Sequence, residues 1–252
     1  MKKRLVSVVS IALCVSLSFF ACSNDNRNDA SSAQEKSAST EGTSDTIPYE
    51  YEKIINNIIN AYPWNDDDIT MVAENPELSY MYRSNSTLSE IGFALIDLDN
   101  NGQNELVISD INRSFVYDLY TLSNGKIHHI FGSGERYFYY LRENGYIENQ
   151  WSGSAVTSGH DFYKYNGGNL DFVERITMDA YHALDVGRIK ELSDATKDNT
   201  FFISKNDKEE DYKAVSFDDA VKAIEIYQNT NKPLEIEYIA LSEYIIPTNS
   251  KF

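Results

Sequence analysis

Past residue 22 the chain has no cysteine: Cys14 and Cys22 are its only two, and both lie near its start. That excludes a disulfide framework, a thiolate metal site and a cysteine nucleophile from everything downstream. A body of this length manages without bridges, because its core is large enough to hold it. Basic runs are missing too. Lys and Arg number 22 against 39 Asp and Glu, giving a formal net charge of −17, and the one basic block is Lys2-Lys3-Arg4. Phosphate binding needs clustered cations, so this composition argues against a nucleic-acid partner. Histidine is scarce, with four residues. His128 and His129 are neighbours on an expected strand and point to opposite faces; His160 and His182 have no partner at metal-ligand spacing. There is no G-x-S-x-G elbow, and no acid pair stands out for glycoside hydrolysis. No catalytic residue is assigned.

Long apolar runs are also lacking. Leu5 to Phe20 is short for a membrane span and a polar stretch follows at once. With Lys2-Lys3-Arg4 before it, this reads as the basic and apolar regions of a signal peptide over residues 1–21. Ser18-Phe-Phe-Ala-Cys22 resembles a bacterial lipobox, in which the cysteine becomes the acylated, palmitate-bearing N-terminus after cleavage, although Phe19 stands where leucine is usual. Ordinary secretion with Cys22 as a free thiol is the alternative. Cleavage removes three cations and no acid, taking −17 to −20. Residues 22–48 then form a lipidated cysteine and a polar tether of Ser, Asn, Asp, Ala, Thr and Glu, unable to build a core. At its length the tether reaches about 25–30 Å. The expected address is the extracytoplasmic face of the cell membrane, held by the N-terminal lipid only.

What the body does have is alternation and aromatics, with 18 Tyr and 12 Phe, a composition that favours strands. Residues 49–90 come first and are helical. Tyr51, Ile54, Ile55, Ile58, Ile59 and Tyr62 trace one helix face, Pro63 ends it, and Asn75-Pro76 starts a short second helix to about Met81. Asp66, Asp67 and Asp68 read as capping carboxylates rather than ligands. From Ile91 to residue 178 four Asn-Gly dipeptides, at Asn101, Asn124, Asn144 and Asn166, punctuate β-rich runs. Asn-Gly suits a type I′ hairpin turn. Hairpins are expected at 91–98 with 105–111, 115–122 with 126–131, 136–142 with 146–151, and 159–165 with 169–177. Residues 179–252 close the body. Thr200–Ser204 reads as a strand, Ser216-Phe-Asp-Asp219 as a capping-box helix start, and Leu234–Leu241 as a last strand. The expected fold is α+β: an antiparallel β-meander of about eight or nine strands, with N-terminal helices and one C-terminal helix packed on it, and 49–252 as one domain.

One stretch of the meander carries chemistry. Asp97-Leu-Asp-Asn-Asn-Gly-Gln-Asn-Glu105 places oxygen-bearing side chains at its first, third, fifth and ninth positions and Gly102 at the sixth, the spacing of a calcium loop. Asp97, Asp99 and Asn101 would supply side-chain oxygens, Gln103 its carbonyl, and Glu105 would close a hard-oxygen shell that suits Ca²⁺. Ile108 occupies the twelfth position, where an EF-hand needs an acid, and strands flank the loop. The competing reading is a bare hairpin end, with Asp97 and Asp99 solvating a turn. Tyr137-Phe-Tyr-Tyr140 alternates between faces. Tyr137 and Tyr139, with Tyr146 and Trp151 across a hairpin, form a candidate glycan platform; helices covering both faces would make it plain core.

On these residues the loop is similar in spacing to those of integrin-type FG-GAP repeats. The body resembles a group of small cell-surface lipoproteins of unknown function, mostly from Gram-positive bacteria. The resemblance is carried by Gly92–Leu106, Tyr117–Gly125, Gly134–Tyr137 with Asn144-Gly145, and Phe162–Tyr165, in that order. It implies an address and an ion loop, and no activity. The functional expectation is a lipid-anchored binding or interaction module at the cell envelope, with a glycan or protein ligand and a structural calcium ion. The alternative is a surface hydrolase or carbohydrate-active protein.

Overall fold

A computed structural model describes residues 47–62, 81, 85–208, 211–228 and 234–244. The expected leader, Cys22, the tether, Asp66–Asp68 and the start at Asn75-Pro76 lie outside those residues. Among the described residues no helix is long and apolar enough to cross a membrane.

Helix α1 (Tyr49–Asn60) forms where the apolar spacing places it, and Tyr51, Ile55 and Ile58 are completely buried. Eleven strands follow: β1 (Ile91–Ile96), β2 (Glu105–Asp110), β3 (Val116–Ser123), β4 (Lys126–Gly132), β5 (Tyr137–Leu141), β6 (Tyr146–Ser154), β7 (Thr157–Asn166), β8 (Asn169–Asp179), β9 (Phe201–Ser204), β10 (Lys213–Ala214) and β11 (Ile239–Ala240). Two more helices, α2 (Ala180–Asp185) and α3 (Phe217–Gln228), interrupt the later strands. All pairings are antiparallel, in the order β10-β9-β8-β7-β6-β5-β3-β2-β1-β11, with β4 paired to β3 off that path. The fold is α+β with a meander, as expected, but the sheet has eleven strands rather than eight or nine. Its two outermost strands, β10 and β11, span two residues each, too short to leave a periodic signal.

Alternation along these strands sorts the side chains. One face carries Phe93, Leu106, Ile108 and Tyr117 beneath α1, and Phe162 and Ile176 beneath α3, where Phe162 stacks on Tyr227 at 4.0 Å. The inner face carries Val107, Val116, Leu119, Phe131, Leu141, Ile147 and Tyr165. Burying each such side chain contributes about 1.5–3 kcal/mol. Helix α3 starts as its capping signature requires, with the Asp219 N–H donating to Ser216 Oγ at 3.1 Å. Asp179 opens α2 by accepting the His182 N–H. Helices do not cover the whole inner face. Its β8–β9 end lies under α2 and the segment after it, where Ala183 and Ile189 meet Phe202. Its β1–β5 end lies under a strap. Leu234 to Tyr238 was expected to be ladder strand. Instead it runs across the face from Leu141, whose carbonyl accepts the Leu234 N–H, to the β1 edge, where only Ile239 and Ala240 pair. Leu234, Ile236 and Tyr238 pack there over a hollow of about 320 Å³ against Val116 and Leu141.

Of the four Asn-Gly signals, only Asn124-Gly125 turns as read, with φ of 53° and 72°. At the β7–β8 hairpin Asn166 pairs with Asn169, so Gly167-Gly168 is the turn, with φ of 55° and 87°. Glu143–Gly145 forms a 3₁₀ turn. Near Asn101 the left-handed residues are Asn100 and Gly102, inside a longer loop over 97–104. In each place the glycine of the pair keeps a positive φ, while the second left-handed residue is Gly168 or Asn100, or is lacking, as at Gly145.

Candidate functional site

The loop between β1 and β2 folds back on itself through its own acids. Asp97 accepts the Asn101 N–H at 3.0 Å on Oδ1 and the Gly102 N–H at 2.8 Å on Oδ2. Asp99 Oδ1 accepts the Asn101 N–H at 3.3 Å, and its Oδ2 accepts the Gly167 N–H at 2.6 Å. Glu105, the first residue of β2, accepts the Leu98 N–H on Oε2 at 3.0 Å and the Thr121 hydroxyl on Oε1 at 3.1 Å. Carboxylate oxygens from Asp97, Asp99 and Glu105 come within 4.8 Å of one another, an arrangement that could hold a metal ion. Each of the six oxygens takes one such hydrogen bond, and an ionised carboxylate has about four acceptor sites, so lone pairs remain.

The Gly167 bond joins strands that are not neighbours. Gly167 lies at the tip of the β7–β8 hairpin, yet it reaches the β1–β2 loop, because the sheet curls over its inner face. Gly168 then sits against Thr121. Tyr165, also from β7, is buried beside Glu105 and Thr121, with its hydroxyl left without a well-formed hydrogen bond. Burial, and after it the charge of Glu105, push the Tyr165 phenol above its ordinary value.

Most of the buried acids described meet a cation; Glu105 and Asp179, the latter occupied in capping α2, have no such ion pair. Asp110 meets Arg113, Asp118 meets His129, Glu148 meets Arg142 and His160, Asp161 meets Arg175, and Glu174 meets Lys205. Among the described residues no Lys, Arg or His forms an ion pair with Glu105, although it is completely buried. Burial raises its carboxyl, the Leu98 N–H and the nearby Tyr165 and Thr121 hydroxyls lower it in part, and the Asp99 charge raises it further. A buried carboxylate without a cation is costly.

The other two expected ligands take different roles. The Asn101 side chain accepts the Gln103 N–H at 2.8 Å. The Gln103 amide reaches β3, donating to Thr121 Oγ1 at 3.2 Å and to the Leu122 carbonyl.

The second candidate is the aromatic group on the inner face. Cross-strand register sets Tyr137 opposite Trp151 and Trp151 opposite Gly159; Tyr139 lies opposite Asn149, then Asp161, then Arg175. Tyr137, Tyr139 and Trp151 therefore share this face, and Tyr139 stacks on Phe131 at 4.2 Å. Tyr146 does not join them. Its offsets from Asn149 and Trp151 along the strand are odd, which puts it on the opposite face; it lies against α3, edge-on to Tyr227 at 5.2 Å, with Lys164 Nζ 3.7 Å from its ring centroid.

Sequence reasoning missed two buried charge clusters. Asp161 accepts two bonds of 2.7 Å from Arg175 and one of 3.1 Å from Trp151 Nε1. Glu148 accepts from Arg142, His160, Gln150 and Gln228, the last from α3. Both oxygens of Glu148 are thereby occupied, which suits a brace better than an acid or base. The available signal was a charged residue at an inward position of a strand, which demands a partner. Compared with protein-family models, with curated proteins and with solved structures, the chain gives no match.

Proposed function

We propose that this chain is a binding module held at the extracytoplasmic face of the cell membrane by a lipid on Cys22, with its curled sheet closed by a calcium ion at Asp97, Asp99 and Glu105. The observation that carries the ion is Glu105, buried beside two further carboxylates and facing no cationic side chain among the described residues. A divalent cation supplies the missing charge. An all-oxygen donor set selects a hard ion over zinc or copper. Because Asp99 also holds Gly167 of the β7–β8 tip, an ion on Asp99 and Glu105 ties that hairpin to β2 and supports the curl. The role is structural.

Loops of this kind in extracellular modules bind calcium at about 10⁻⁴–10⁻³ M, so millimolar calcium stabilises by about 1 kcal/mol. Thermal unfolding of the full chain in calcium chloride and in chelator checks this. The melting temperature is expected to rise by about 2–4 °C with calcium. Asp99→Ala abolishes the rise. Glu105→Gln removes it as well and raises the melting temperature in chelator, since it deletes an uncompensated buried charge. Coincident curves with and without calcium overturn the proposal. The anchor is checked by expressing the chain in a lipoprotein-processing bacterium with labelled palmitate: label on the parent chain and none on Cys22→Ser is expected, and an unlabelled parent chain excludes the lipid.

A further inference from the structure

We propose that Asn124, at the tip of the β3–β4 hairpin, is a self-modifying site: the Gly125 backbone nitrogen attacks its side-chain amide and converts it, through a cyclic imide, to aspartate and isoaspartate. Asp97 and Asp99 hold the same reaction back at Asn101 and Asn166. Neither the calcium ion nor the lipid anchor enters into it.

The chemistry needs only neighbouring atoms and water. The Gly125 nitrogen gives up its proton and bonds to Asn124 Cγ. The Cγ–Nδ2 bond breaks, and Nδ2 leaves as ammonia with that proton. Water then opens the imide. Attack at Cγ gives aspartate with the main chain as before; attack at the Asn124 carbonyl carbon leaves the chain running through Cβ and Cγ, as isoaspartate. Either product carries a carboxylate, ionised at neutral pH, where the amide was neutral. Isoaspartate also lengthens the backbone of a turn that has room for two residues between Ser123 and Lys126. Closure is easiest before glycine, because no Cβ shields its nitrogen.

Four Asn-Gly pairs share that advantage, and the state of the glycine nitrogen separates them. The Gly102 N–H donates to Asp97 Oδ2 at 2.8 Å, and the Gly167 N–H to Asp99 Oδ2 at 2.6 Å. Such a nitrogen must first break a charge-assisted bond, and the carboxylate beside it disfavours the anion it becomes. Gly145 closes the 3₁₀ turn Glu143–Gly145, whose i→i+3 bonding engages its N–H. The Gly125 N–H has no hydrogen-bond partner among the described residues. Space does not make the distinction, since a Cβ built on Gly102, Gly125 or Gly167 meets nothing within 4 Å.

The β3–β4 tip is also free to reach the reacting conformation. Asn124 and Gly125 hold φ of 53° and 72° in the turn, and closure requires the peptide between them to rotate out of that arrangement. Residues 123–126 are all exposed. The Asn124 amide is held by a long bond, 3.4 Å, to Ser123 Oγ, and β4 pairs with β3 alone. Tips of this kind open at small cost. The β7–β8 tip, by contrast, is tied through Gly167 to the β1–β2 loop. Charge acts in the same direction. The nearest charged residue along the chain from Asn124 is Lys126, a cation that favours an anion forming beside it, whereas the Asn101 N–H lies against the carboxylates of Asp97 and Asp99.

The full chain, incubated in chelator at mildly alkaline pH and digested with trypsin at intervals, tests the site. Cleavage after Arg113, Lys126, Arg142, Lys164 and Arg175 puts the Asn-Gly pairs in separate peptides. Mass spectrometry reads the exchange of NH₂ for OH in each, and labelling by an isoaspartyl methyltransferase reads the isomer. In the folded chain the Ser114–Lys126 peptide is expected to convert about tenfold faster than the other three, the factor in rate that one hydrogen bond to a charged group governs. In urea that lead should collapse. Asp99→Ala should speed Asn166 and Asp97→Ala should speed Asn101, each leaving Asn124 as it was. Equal rates in the folded chain, or a lead for Asn124 that persists in urea, overturns the site. Variants that fold as the parent does yet leave Asn166 and Asn101 slow overturn the guarding role of the two acids. The parent chain alone decides the first point, so the site stays testable even if either substitution unfolds the protein.

Discussion

Glu148→Ala is expected to cost the folded chain about 3–5 kcal/mol, the range for removing one partner of a buried ion pair. Glu148 is completely buried and Arg142 nearly so. Its Oε2 accepts from Arg142 Nε at 2.8 Å and from Nη2; its Oε1 accepts from His160 at 2.7 Å, Gln228 at 2.7 Å and Gln150 at 3.1 Å. Truncation strands the Arg142 guanidinium in the core and leaves three further donors without an acceptor. It also cuts the polar tie between α3 and β6. The melting temperature should fall by roughly 10 °C on the scale of about 2–4 °C per kcal/mol for a chain of this size. Urea unfolding checks the free energy, and Glu148→Leu with Arg142→Leu should recover much of the loss because both charges then leave together. The same group sets an acid limb. Burial by itself raises the Glu148 carboxyl, but the His160 bond and the Arg142 charge outweigh it and bring it from 4.5 down to about 2. Between those values the unfolded chain binds the proton and the folded chain does not. The contribution is therefore complete above about pH 4.5 and drains away as pH falls toward 2. Glu148→Ala should flatten this part of the stability–pH curve. A curve unchanged by the substitution would mean that Glu148 is not the brace.

Glu105 works in the opposite sense, which makes the two acids a useful contrast. Its carboxyl is raised by burial and by Asp99, so acidification relieves it where it penalises Glu148. Both were visible as letters in the sequence. Neither role was, because the partner decides the sign, and partners come from the curl of the sheet. Hairpin positions were legible to within a few residues, since alternation and turn chemistry act over short range. The curl was not. It follows irregularities in the ladders at Ile108/Ser109, Leu119/Tyr120, Ser152/Ser154 and Phe162/Tyr163, and bulges of this kind bend strands without a strong sequence signature. That is why the spacing found Asp97, Asp99 and Glu105 together, all within one loop, but could not bring in Gly167 and Tyr165 from β7. The aromatic group shows the same limit. Alternation along the strand puts Tyr137 and Tyr139 on one face, whereas nearness across the hairpin adds both Trp151, which the register sets opposite Tyr137, and Tyr146, which turns to Tyr227 of α3. The glycines against which the Tyr137 and Trp151 rings lie, Gly134 and Gly159, belong to a bridge and to a third strand, beyond the reach of a pattern read along one hairpin.

Asp161→Ala is expected to cost about 3 kcal/mol, the second large effect, and it bears on the orientation of Trp151 as well as on the fold. Asp161 is buried and accepts from Arg175 Nε and Nη2 and from Trp151 Nε1, with the Tyr163 hydroxyl at 3.4 Å. The bidentate bond to Asp161 raises the Arg175 guanidinium further above its ordinary value, outweighing the burial that opposes it. Without the carboxylate the guanidinium loses its counter-charge and the indole N–H its acceptor. The loss falls short of that at Glu148, because the Arg175 side chain is 20% exposed and can lean toward water. Asp161→Val with Arg175→Leu should restore most of the stability, as the desolvation cost leaves with both charges. It should not restore the orientation of Trp151, which needs the Asp161 oxygen. Urea unfolding and the near-ultraviolet circular dichroism of Trp151, taken as the difference from the matching Trp151→Phe variant, therefore separate two roles for one carboxylate. A variant that recovers stability but loses the Trp151 signal shows that Asp161 fixes the indole. A variant that recovers both shows that packing on Gly159 alone is enough to hold the indole flat.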